Sequence, residues 1–205
     1  GEVRSGCMLF GDALAATLLV MEAGARMTGW FKSDGNGFKT IIVPAGAYRN
    51  RENVNNPGEM WGDGNRRSDA NLYMNGTDVF SFTISEVPGL VKEYMAQQQK
   101  TAEDFDAFVM HQANCFILKQ LGRKCGITPD KLPISMDRYG NTSVASIPVT
   151  LCDAFGGRSG PIRTLLCGFG VGLSWGVVDA VIDSAHIYPL IETDDFYQDG
   201  GVSHG

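Results

Sequence analysis

Apolar and polar positions along this 205-residue chain change period several times, and each change marks an element. Residues 14–22, "LAATLLVME", are nearly all small or apolar and predict a buried strand opened by Gly11 and Asp12, with helix as the alternative that the pattern leaves open. Residues 33–75 are dense in Gly, Asn, Asp and Arg. Only "TIIVPAG" breaks them, as a short strand or pocket wall. Compact domains seldom carry so long a loop without a use, so this excursion is expected to cover a site or meet a partner. Residues 75–99 read as helix, with Val79, Phe82, Val87, Leu90, Val91 and Tyr94 at helical intervals and Pro88 expected to kink or divide it. "FDAFVM" (105–110) has the length of a strand, and "NCFILKQLGRKCG" has helical periodicity that ends at Gly126. "KLPISM" (131–136) reads as strand, "DRYGN" as turn, and "TSVASIPVTLCDAF" as a helix capped by Thr142 or Ser143 with Pro148 in its first turns. "IRTLLCGFGVGLSWGVVDAVID" gives two apolar runs split by glycines, hence two strands and a tight turn. The alternation predicts an α/β layered sheet.

Composition narrows the function classes. Hydrophobic residues make up 43% and charged residues 20%, and no apolar run approaches the roughly 20 residues of a membrane helix, so a soluble protein is expected. A net charge of −6 argues against nucleic-acid binding, which needs clustered cations in excess. Lys119, Arg123 and Lys124 form one local basic run, by itself a solvated helix face. The cysteines (Cys7, Cys115, Cys125, Cys152, Cys167) are odd in number, with no CxxC pair and no metal spacing with histidine. No metal site and no disulfide framework is expected, and Cys152 and Cys167 read as buried thiols of a cytoplasmic protein. The opening is a poor signal peptide, and a chain starting without Met is expected to have been processed, tagged or cut from something longer. Trp30, Phe31, Met60, Trp61, Phe80 and Phe82 are expected in the core rather than along a ligand wall. His186 and His204 have no motif around them and read as structural or exposed.

Loops past the carboxyl ends of strands are where α/β folds place their sites. Three such points carry polar or Gly-rich groups: His111 with Asn114, Asn141 in "YGNTS", and the "GFGVG" of 168–172. Alone, His111 would read as a core histidine and Asn141 as a turn builder. "GFGVG" lacks the GxGxxG spacing of a dinucleotide loop. Converged, the three supply N–H donors without a nucleophile or carboxylate base. Such a set suits negative charge growing on an oxygen, as when a thioester becomes an enolate or a tetrahedral adduct.

"LFGD" (9–12), "HQAN" (111–114), "DRYGNTSVASIP" and "GFGVGLSWG", in this order, resemble β-ketoacyl-acyl-carrier-protein synthase III of the thiolase superfamily. The resemblance implies an α/β, layered thiolase-like fold, here the carboxyl-terminal half plus the last strands of the amino-terminal half. It divides the chain into 1–30 (end of the amino-terminal half), 31–75 (excursion) and 76–205 (carboxyl-terminal half). It implies an acyltransferase that condenses an acyl group with malonyl-ACP, losing carbon dioxide. Acyl-CoA and the phosphopantetheine of ACP are then the substrates, with no covalently bound cofactor. His111 and Asn141 match the residues that hydrogen-bond the thioester carbonyl, Asn114 the one that contacts the phosphopantetheine arm, and Phe169 an aromatic beside the nucleophile. Gly170 and Val171 fall at the backbone of the oxyanion hole, where the family often has Gly or Ala in place of Val171. Lys119, Arg123 and Lys124 become candidates for carrier-protein docking, although Phe116 stands where the family often has an arginine. The family's nucleophilic cysteine matches none of the five here. The chain is therefore expected to lack it and to be inactive alone, with a missing amino-terminal half as partner and a homodimer as a possible assembly. The alternative is a non-catalytic or specialised thiolase-fold module in polyketide or surface-glycolipid synthesis.

Overall fold

The computed structural model describes residues 9–60 and 66–194. Strands β7 (Pro161–Gly170) and β8 (Ser174–Asp183) form an antiparallel hairpin. Strand β6 (Ala107–Met110) joins β7 in parallel and β1 (Met27–Ser33) joins β8 antiparallel, giving the order β1-β8-β7-β6. β1 thus straddles residue 30 and shares a sheet with strands from beyond residue 75. Within the excursion, β2 (Ile41–Ile42) pairs with β5 (Tyr73–Met74), and β3 (Glu59–Met60) pairs with β4 (Arg66–Arg67).

Helices cover both faces of the sheet. Helix α1 (Gly76–Gln97) packs on α2 (Cys115–Cys125) and on β8, while α4 (Ser146–Phe155) packs on β6 and β7. Phe108 and Met110 join α1 and α2 in the main core with Leu90, Val91, Leu118, Leu121, Leu165 and Cys167. On the opposite face, Gly168 lies against Ile147 of α4. All four positions of β6 are therefore buried, which is why its sequence is an unbroken apolar run and not an alternating one. Burying a side chain such as Leu118 or Leu121 contributes about 1.5–3 kcal/mol. Asn75 caps α1 by accepting from the Thr77 and Asp78 N–H groups, and buried Pro88 leaves the helix undivided. Asn114 caps α2 by accepting from the Ile117 N–H, and Gly126 ends it at φ 70°, where a side chain would be strained. Trp30 meets Tyr94 edge-on at 5.4 Å, and Phe82 meets Trp175 at 5.2 Å.

A charge cluster around buried Asp179 ties the sheet to α1. Asp179 accepts from the Tyr94 hydroxyl (3.0 Å), Lys100 Nζ (2.5 Å) and Arg163 Nε (3.2 Å). Burial pushes the Asp179 carboxyl up, but the hydrogen bonds from Lys100, Arg163 and Tyr94 outweigh it and hold the pKa below its ordinary value. Burial and this carboxylate together push the Tyr94 phenol up to about 12.

Several expectations are corrected. Residues 14–22 form no strand and lie in solvent, with Leu14 95% and Met21 103% exposed, because among the described residues no strand pairs with them and no helix covers them. Residues 131–136 form no strand either. The side chain of Gln112 accepts from the Ser135 N–H (3.0 Å) and the Met136 N–H (3.4 Å), taking donors that a ladder would use, and the short helix α3 (Met136–Tyr139) follows. Neither Thr142 nor Ser143 caps a helix through its side chain. The Asn141 carboxamide receives the Ser143 N–H instead. Phe31 and Met60 are exposed, whereas Phe82 is buried and Trp30 and Phe80 are partly so. Cys152 is half-buried and Cys167 buried, and Cys115, Cys125, Cys152 and Cys167 are free thiols. Cys7, Trp61 and His204 lie outside the described residues. Among the described residues, no helix is long and apolar enough to cross a membrane, and no group of three His, Cys, Asp or Glu side chains is placed to hold a metal ion.

Candidate active site

His111 follows the last residue of β6. Its N–H donates to the Cys167 carbonyl of β7 (2.8 Å), so the parallel ladder runs one residue beyond the strand and fixes the histidine backbone. Its ring meets Phe169 edge-on at 5.3 Å and places Nδ1 2.7 Å from Ser146 Oγ at the start of α4. Burial holds the imidazole pKa below its usual 6.5, against a backbone hydrogen bond to Ser143 that raises it. A neutral ring at neutral pH follows, with one N–H to donate.

Asn141 is buried where two quoted motifs meet. Its N–H donates to the Leu9 carbonyl (2.8 Å) and its carbonyl accepts from the Gly11 N–H (3.1 Å), forming a parallel bridge with Phe10. The fit requires glycine, because a Cβ on Gly11 would lie 1.9 Å from the Tyr139 carbonyl oxygen. Asn141 Oδ1 accepts from the Ser143 N–H (2.9 Å). That contact assigns the carboxamide oxygen and leaves the amide NH₂ as donor, with no partner among the described residues. Ser143, held at φ 53°, begins the turn that leads from Asn141 to Ser146.

The remaining expected residues divide. Phe169 and Gly170 end β7 beside the histidine, and Val171 begins the hairpin turn with its side chain exposed. The Asn114 oxygen is used as the α2 cap. Lys119 and Arg123 lie exposed on α2, while Lys124 Nζ donates to the Ile84 carbonyl of α1 (2.9 Å). Exposed Phe116 stacks on Phe80 at 5.7 Å. His186 is exposed, far in sequence from every motif. Burial raises the thiols of Cys125 (to about 11), Cys152 and Cys167, which opposes a thiolate at those positions. A groove of about 1120 Å³ in the excursion is lined by Lys39, Arg49 and Asp69 and includes neither His111 nor Asn141, so volume does not mark the chemistry here. The sequence reading missed Gln112 and Ser146, which lie directly behind the histidine. Their only sequence mark is their place inside "HQAN" and "DRYGNTSVASIP".

Residues 95–180, which include His111, Asn114, Asn141, Ser146, Phe169 and Gly170, match the family profile described as 3-oxoacyl-[acyl-carrier-protein (ACP)] synthase III C terminal. A curated β-ketoacyl-[acyl-carrier-protein] synthase III of Clostridium perfringens is 32% identical over 180 residues, covering 85% of this chain and 52% of that protein. The Staphylococcus saprophyticus protein of the same name is 34% identical over 181 residues, covering 85% and 50%. A crystal structure of a 3-oxoacyl-(acyl-carrier-protein) synthase III superposes with a TM-score of 0.73 at 34% identity, covering 89% of this chain and 55% of that one. The chain spans about half the length of the curated relatives it matches. With that match falling on the segment that holds His111, Asn141 and the β7–β8 hairpin, the chain carries the carboxyl-terminal, thiolase-like portion of the β-ketoacyl-ACP synthase III family.

Proposed function

We propose that this chain supplies the oxyanion-stabilising donors of a β-ketoacyl-ACP synthase III-type acyltransferase, which condenses an acyl group with malonyl-ACP as carbon dioxide leaves. The observation that carries the reading is the pairing at Ser143. Its N–H fixes the Asn141 oxygen and frees the amide NH₂, and three residues on, Ser146 Oγ lies 2.7 Å from His111 Nδ1. Two neutral donors preorganised in a half-buried site stabilise a growing enolate oxygen without needing a counter-charge. Phe169, edge-on to the imidazole, walls one side, and the backbone at Gly170 and Val171 completes the expected oxyanion hole. Acyl-CoA and the phosphopantetheine arm of ACP are the substrates in this reading, with Asn114 beside the arm. Lys119 and Arg123 offer an acidic carrier protein two exposed cations, and Lys124, tied to Ile84, contributes less freely.

The acyl-accepting cysteine in this reading comes from outside these residues, because three of the four described thiols are held protonated by burial. An amino-terminal half of the same fold is then the partner, and the exposed apolar residues Leu14, Leu18, Leu19 and Met21 are consistent with it. The test is malonyl-ACP decarboxylation by the complete synthase. His111→Ala is expected to lower it about 100- to 1,000-fold, as loss of one preorganised donor does. An unchanged rate overturns the reading. The 205 residues alone are expected to form no acetoacetyl-ACP from acetyl-CoA and malonyl-ACP. If the complete protein forms no acyl-cysteine by mass spectrometry, the non-catalytic module takes precedence.

A further inference from the structure

We propose that Ser146 is a positioning residue that fixes the tautomer of His111, a role that rests on the donor reading above. Ser146 Oγ lies 2.7 Å from Nδ1 and also accepts the Gln112 N–H at 3.4 Å. A backbone N–H can only donate, so this contact uses a lone pair of the hydroxyl and leaves its proton to be placed. Ser146 is 1% exposed, which removes bulk water as the recipient, and the neighbouring Ser143 carbonyl already accepts the Ser146 backbone N–H, so Nδ1 at 2.7 Å takes the hydroxyl proton. Nδ1 therefore accepts. The single proton of the neutral ring then sits on Nε2, the nitrogen on the far side of the ring from Ser146 and the one that donates to a substrate oxygen.

The hydroxyl is itself held by buried groups whose directions agree. Gln112 Nε2 donates to the Met110 carbonyl (2.8 Å), so Gln112 Oε1 is the atom that accepts from the Ser135 N–H (3.0 Å). Thr150 Oγ1 donates to the Ser146 carbonyl (2.7 Å) and so accepts from Ser135 Oγ (2.7 Å). Gln112, Ser135, Ser146 and Thr150 are each at most 1% exposed. An unsatisfied member of such a buried set is costly, which gives the groups around Ser146 one arrangement.

The test has two arms. In the 205-residue protein labelled with ¹⁵N-histidine, long-range ¹H–¹⁵N correlation is expected to show His111 with Nδ1 unprotonated and Nε2 protonated. A protonated Nδ1 overturns the proposal without any variant being made. In Ser146→Ala the Nδ1 resonance is expected to move toward that of an imine nitrogen lacking a hydrogen bond, and in Ser146→Thr to return. No movement overturns it. In the complete synthase, Ser146→Ala is expected to lower kcat for decarboxylation about 10- to 100-fold with KM unmoved, the cost typical of a group that orients a functional imidazole, and Ser146→Thr to recover it. An unchanged kcat overturns it. Failure of the donor reading is distinguishable, because an unaffected His111→Ala rate would sink that reading whatever the spectrum shows.

Discussion

Residues 107–110 and residues 14–22 are both apolar runs, yet the first is buried at every position and the second lies in solvent. The difference lies in what surrounds them. β6 has the β7 ladder along one edge, α1 and α2 on one face and α4 on the other, whereas the 14–22 run has none of these among the described residues. Apolar composition supplies the driving force for burial, but partners with matched edges and faces decide whether burial occurs.

The strongest way to break the comparison is to cut both runs. Phe108→Ala is expected to cost about 3–5 kcal/mol, and Leu18→Ala to stay within about 0.5 kcal/mol, both by urea unfolding monitored by circular dichroism. A comparable loss at Leu18 would mean that the second run is also packed. Asp179→Asn tests the core's polar anchor. Leaving Lys100 and Arg163 without their carboxylate is expected to cost about 1.5–3 kcal/mol in the same assay, lowered somewhat because both cations reach solvent.

Gly11→Ala probes a place where the 9–12 segment grips Asn141. The added Cβ meets the Tyr139 carbonyl and is expected to speed hydrogen exchange at the Asn141 amide about tenfold, with global stability little changed. The smallest effect concerns protonation. Because His111 has a folded pKa below 6.5, the unfolded chain binds the extra proton first. Its contribution to stability is then full above about pH 6.5 and lost as pH falls through the folded value. An NMR titration is expected to place the His111 midpoint below 6.5, and a midpoint above it would remove the neutral donor.

Local periodicity made much of the fold legible. Helices α1 and α2 and the β7–β8 hairpin carry their own signals in Val87, Leu90 and Tyr94, in Gly126 as helix stop, and in the glycine-split apolar pair. His111 and Asn141 stand in motifs that mark them as candidates. Residues 131–136 were not, because a side chain from residue 112 takes the backbone donors that a strand would pair, and no pattern within six residues reports on that.

By itself the sequence determined which segments can be helix or strand, where turns need glycine, and which residue types gather at strand ends, since these depend on neighbours within a few positions. Tertiary structure alone decided that "LFGD" lies against Asn141 and that Ser146 faces the His111 Nδ1 across 35 positions of chain. Hydrogen-bond direction and burial belong to groups brought together in space, so they have no value until the sheet and its helices have closed around them.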